Sequence, residues 1–244
     1  MGMAVSSDGT TLYVAAFGSS EVGVYNTTQL ENDTFVPSAS TQLSVSGGGP
    51  TGLVLDEARS QLYVLTRFDD AISVLSTATG AELAHVALFN PEPTTVKTGR
   101  RFLYDTSLSS SHGDSACASC HISGDFDSLA WDLGNPDDTM VNNANPFKVG
   151  PFIDPDFHPM KGPMTTQSLR GMANHGPMHW RGDRTGGSNP GGDPLDEAAA
   201  FKRFIVAFDG LLGRGNAISN ADMDRFTNFI LEVTYPPNPI RPLN

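Results

Sequence analysis

The chain is short of cysteine, of basic residues and of long apolar runs, and each shortage removes a class of function. Only two cysteines occur in 244 residues, so no second cysteine pair exists to complete a four-thiolate zinc site. No apolar run approaches the roughly 18 residues that a membrane-spanning helix needs. The first 25 residues have neither a cationic start nor an apolar h-region, so no export signal is legible there. Lys and Arg number 15 against 27 Asp and Glu, a net charge of −12. That balance argues against nucleic acid and anionic membrane as partners and fits a solvated surface or a basic protein partner. The hydrophobic share, 39%, is ordinary and suffices for one large domain or two small ones with a sizeable core.

Both cysteines fall in one pentapeptide, Cys117-Ala118-Ser119-Cys120-His121. This spacing is the attachment signature of a c-type haem. Two thiols one helical turn apart add to the two vinyl groups of one porphyrin, and the following imidazole reaches the iron, so His121 is the expected proximal ligand. Three other readings compete: a zinc half-site completed by scattered histidines such as His112, a thioredoxin-like redox pair, and two core cysteines. A redox pair wants a βαβ setting, whereas the flanks here are rich in Ser, Gly and Asp. Because thioether attachment is carried out on the outer side of the bacterial membrane, a periplasmic or otherwise extracytoplasmic location is expected, with the true amino terminus upstream.

Upstream of the motif the chain repeats itself without a gap at an offset of 50 residues. Residues 2–26 lie over 52–76, with Leu12-Tyr13-Val14 on Leu62-Tyr63-Val64 and Val22, Val24 on Ile72, Val74. Each copy predicts three short strands (Met3 to Val5, the LYV strand and an alternating strand in the first), and Ala84 to Leu88 predicts a fourth in the second. These residues resemble the YVTN or lactonase-like repeats of β-propellers, which implies four-stranded blades. The second copy has Ala58-Arg59 where the first has Asp8-Gly9, so its first turn must be built differently. Two blades do not close a propeller, and the chain is expected to be a fragment of a larger one.

After Asn90-Pro91-Glu92-Pro93 the texture changes. Thr94 to Thr106 predicts a helix with Val96, Gly99 and Leu103 on one face, and Ala221 to Val233 another, capped by Asn220, with Met223, Phe226, Phe229, Ile230 and Val233 in a stripe. Residues 122–145 read as an acidic loop, and 186–192 as a flexible surface loop. Asp193-Pro194 reads as the cap and first residue of a helix through Leu195, Ala198, Phe201, Ile205 and Phe208. The stretch 236–244 is a proline-rich linker expected to lead to a further domain.

GRRFLYDTSLSS (residues 99–110), CASCH, TTQSLRG (165–171) and HWRGDR (179–184) together resemble one haem domain of the bacterial di-haem cytochrome c peroxidase superfamily. The resemblance implies one covalent haem c per chain on Cys117 and Cys120, with His121 proximal. It places the distal group on the loop between the haem motif and LRG, where His158 or Met164 is favoured over Met140, Met160, His175, Met178 and His179. Arg181, Asp183 and Arg184 are read either as partners of haem propionates or as a surface ion-pair cluster.

The expected architecture is multidomain: an all-β region of partial antiparallel β-propeller blades over 1–92, then a mainly α cytochrome c-like domain over 93–235, then the linker. The expected function is an electron-transfer module working with a redox partner protein or a second haem domain. One rival is a haem peroxidase-like oxidoreductase, for which His158 or His175 with Arg170 or Arg181 would supply an acid-base group and a cation. The other is a propeller-based binding scaffold.

Overall fold

A computed structural model describes residues 2–135, 138–142, 156–157, 159–160 and 162–240. The architecture is mixed, with antiparallel sheets and about 28% helix. The chain divides into two compact units, Met1–Cys117 and Ala118–Asn244. This division falls inside the CASCH motif, later than the change of texture around residue 92.

The first unit holds two four-stranded meanders. One is β1 (Met3–Val5), β2 (Thr11–Ala16), β3 (Glu21–Asn26) and, after helix α1 (Thr27–Glu31), β4 (Gln42–Ser44). The other is β5 (Pro50–Asp56), β6 (Gln61–Thr66), β7 (Ala71–Ser76) and β8 (Glu82–Ala87). The two inner strands of each sheet have bounds that match at the offset of 50, and so does their register: Tyr13 faces Val24 as Tyr63 faces Val74.

The buried faces do not match, and that tells how the copies pack. Tyr13, Ala15 and Val22 are buried in the first sheet, whereas Leu62, Val64 and Leu75 are buried in the second. Alternate residues of a strand point to opposite faces. Equivalent sheets thus stack front to back, with Tyr13, Val22, Val45, Leu62, Val64 and Leu75 forming one core between them. Each fully buried aliphatic side chain there contributes roughly 1.5–3 kcal/mol. The first turns differ as the sequence requires. In the first copy Ser6 and Thr10 bond the Asp8 carboxylate and Gly9 has φ 75°. In the second a 3₁₀ turn capped by Asp56 ends at Ser60 with φ 51°.

Helix α2 (Thr94–Tyr104) belongs to this unit because ion pairs tie it to the second sheet. Arg100, buried, donates to the Arg67 carbonyl at 2.7 Å and pairs with Glu92, which also binds Arg67 at 2.6 Å. Tyr104 packs edge-on against Phe17 at 5.3 Å, and Thr106 donates to the Gly18 carbonyl. The helix stops two residues before the expected Thr106. Asp105, fully buried, turns its carboxylate back to the Ser107 amide and starts helix α3 (Thr106–Ser109).

The second unit contains two small ladders. Strand β9 (Ala130–Trp131) lies in the stretch read as loop; β10 (Val141–Asn142) pairs with β11 (Asp156–Phe157), and β9 pairs with β12 (Met164–Thr165). Helix α4 (Glu197–Lys202) passes through a 3₁₀ turn into α5 (Ala207–Gly210), and α6 (Asn220–Glu232) closes the unit. Phe201 and Phe208 pack edge-on against Phe226 at 5.1 and 6.2 Å, beside buried Met223 and Ile230.

Both later helices begin away from the expected caps. Asp196, not Asp193, accepts the Ala199 amide, and Leu195 stays outside the helix with 67% exposure. Ser219, not Asn220, caps α6 by accepting the Asp222 amide at 3.1 Å. The glycine loop read as surface forms a 3₁₀ turn over Gly186–Ser188 with Gly186 buried. A Cβ on Gly192 would lie 2.2 Å from the Gly186 carbonyl oxygen, so that close approach requires glycine.

Candidate functional site

Cys117–Ser119 forms a 3₁₀ turn, which brings the chain round within the motif. Cys117 and Cys120 are half-buried and are not joined in a disulfide. Burial, aided by the Asp127 charge, pushes the Cys120 thiol above its ordinary pKa, so it is protonated at neutral pH.

His121 is fixed more tightly. Its Nδ1 lies 2.7 Å from the backbone carbonyl of Gln167, and burial holds the imidazole below its ordinary pKa against the opposing pull of that carbonyl and Asp127. A carbonyl can only accept, so the ring is neutral with its proton on Nδ1. Nε2 therefore keeps its lone pair. That is the tautomer a ring-nitrogen metal ligand requires, with the other nitrogen anchored on backbone.

The anchor belongs to a strap, residues 164–171. On one edge it is bonded to the chain just after the motif: Met164 pairs with Trp131 and Thr165 with Ala130, the Thr166 amide donates to the Leu129 carbonyl at 3.2 Å, and the Leu169 amide donates to Gly124 at 2.9 Å. Arg170 adds a bond to the Ser123 carbonyl and an ion pair with Asp125 at 3.3 Å. On the other edge Gln167 meets His121, and the Thr165 carbonyl accepts from the Trp180 indole at 2.9 Å. The segment after His121 also exposes large apolar side chains: Ile122, Phe126, Leu129 and Trp131. Trp131 is held by the Asp127 carboxylate at 2.8 Å.

The sequence candidates for the far side of the iron are dispersed. Met164 begins the strap. His158 lies outside the described residues. Met140 and Met160 are exposed, Met178 is buried in the core, and His175 is exposed with Nδ1 on the Ala173 carbonyl of its own loop. His179 sits 2.8 Å from Asp183, edge-on to Phe204, and Arg181 joins the same carboxylate at 3.2 Å. These three make an ion-pair cluster. Arg184 is not part of its surface: it is buried, donating to the Arg203 carbonyl with its guanidinium over Phe204. Among the described residues no group of three or more His, Cys, Asp or Glu is arranged to hold a metal ion, and His112 is exposed.

Gln167 and Trp180 were not legible as site residues. Gln167 acts through its carbonyl, which any residue has, and only the TTQSLRG resemblance marked its neighbourhood. Neither a scan against models of protein families nor a search of curated proteins returned a match for this chain.

Proposed function

We propose that the chain from the CASCH motif onward is a c-type haem-binding electron-transfer module. The observation that carries this reading is the His121 imidazole, neutral and anchored through Nδ1 directly after a Cys-x-x-Cys pair not joined in a disulfide. Cys117 and Cys120 would hold the group by thioethers and His121 Nε2 would ligate its iron. When bound, haem c supplies a one-electron couple. The chain's own residues anchor and orient: the Gln167 carbonyl fixes the imidazole, and the exposed Ile122, Phe126, Leu129 and Trp131 offer apolar surface of the kind a porphyrin covers. The net charge of −12 suits a basic redox partner in an extracytoplasmic setting, and a second haem domain is the other candidate partner.

We further infer that the two sheets of the first unit are adjoining propeller blades. Matching strand bounds at an offset of 50 and front-to-back stacking support this, since blades repeat by rotation rather than by a two-fold.

One observation favours a second reading. His179, Asp183 and Arg181 place an acid-base group beside a cation, the pair peroxide chemistry needs. Of the residues expected from sequence, Arg181 belongs to this cluster, whereas Arg170 is engaged with Ser123 and Asp125 and His175 with the Ala173 carbonyl. Voltammetry with a peroxide assay on the haem-loaded chain separates the readings. Electron transfer predicts a reversible one-electron wave unchanged by peroxide. Peroxide turnover that disappears in His179→Ala would establish the second reading instead.

A further inference from the structure

The strap carries more than the anchor of His121. In an extended chain, carbonyls of alternate residues point to the same edge, about 7 Å apart. The Thr166 amide is turned toward Leu129, which turns the Thr165 and Gln167 carbonyls to the opposite edge. There the first accepts from Trp180 Nε1 at 2.9 Å and the second from His121 Nδ1 at 2.7 Å. The indole and the imidazole are thus neighbouring donors on one edge of the same three residues.

Trp180 is not placed there for core volume, because it is 63% exposed. It sits near the tip of a loop closed at its base by paired bonds between Met178 and Arg184, 2.7 and 3.3 Å long. The residue before it, His179, has φ 67°, a left-handed conformation that a side chain adopts at a cost. A closed loop with a strained residue beside its apex presents the indole N–H to the strap.

We infer that Trp180 is a positioning residue for His121: by holding the Thr165–Gln167 strap it keeps the Gln167 carbonyl on Nδ1 and so sets the donor strength of the axial imidazole. This rests on the haem reading above. A firmly held acceptor on Nδ1 makes the ring more basic, which favours the oxidised metal and lowers the reduction potential. Loosening the strap raises it.

The test uses the full chain and the variant Trp180→Phe, which keeps an aromatic ring and removes the N–H. Amide exchange at Thr166, measured on the haem-free chain, is expected to quicken about fivefold, the effect of losing one ordinary hydrogen bond. On the haem-loaded chain the reduction potential is expected to rise, with covalent haem content unchanged. Unaltered exchange at Thr166 overturns the inference. Faster exchange with an unaltered potential overturns it too, because Trp180 then supports structure without tuning His121. A wild-type chain that takes up no covalent haem sinks the functional reading instead, and the exchange measurement still decides whether Trp180 holds the strap.

Discussion

Because the Gln167 carbonyl can only accept, the proton of His121 is held on Nδ1 and its ligand capacity is concentrated at Nε2. Sequence gave the position of this histidine through the spacing of Cys117 and Cys120, but not its tautomer, which depends on a backbone atom 46 residues away. On the proposed haem, the sixth position is where a single substitution decides most. Met164 begins the strap that carries the Gln167 anchor, and it is the methionine that the resemblance favours. The oxidised haem-loaded chain is expected to show the weak absorption near the red end that a thioether ligand gives, and Met164→Ala to abolish it. Persistence of that band in the variant transfers the role to Met160 or Met178. A low-spin spectrum without the band, turning high-spin in His158→Ala, transfers it to His158.

At the scale of elements, period and repetition were legible and caps were not. The strands of the first unit, apart from β4, follow from alternation read twice at an offset of 50; β4 was not read from the sequence. The start of α4 does not follow, because Asp193-Pro194 and Asp196 both offer a cap and burial chooses between them: Leu195 is exposed, whereas Ala200 and Phe201 are buried. Nor could sequence attach α2 to the second sheet, since Arg67, Glu92 and Arg100 look like ordinary surface charges until they meet. Burial works to raise the Glu92 pKa, but hydrogen bonds from Arg67, Arg100 and Asn90 outweigh it and bring the carboxyl to about 2. The folded value lies below the ordinary glutamate value of 4.5, so the stabilisation is present above that pH and is lost as pH falls toward the folded value. The shift corresponds to about 3 kcal/mol. Glu92→Gln is expected to lower the stability of the first unit by about that amount at neutral pH. Between pH 4.5 and 2 the variant should lose less than the wild type. Urea unfolding followed at both pH values checks this, and equal acid sensitivity of the two chains would remove Glu92 as the cause.

At the scale of the molecule, the sequence placed a boundary where prolines interrupt the strand pattern, whereas compactness places it at Cys117. The difference is the segment from Thr94 to Ser109, helical in texture but bonded to the sheets through Arg100 and Thr106. A change of secondary structure marks a boundary only when the contacts change with it. The proposed function stands on Cys117 and Cys120 serving one haem with His121 beneath it. Its most direct test is the intact mass of the full chain produced alongside a haem-maturation system, with Cys117→Ser and Cys120→Ser as controls. Expected are a mass increased by one haem that survives denaturation, a c-type pyridine haemochrome at one per chain, and loss of the two-thioether spectrum in either control. A chain recovered at its bare polypeptide mass, with both thiols titratable or with zinc bound to them, would contradict it.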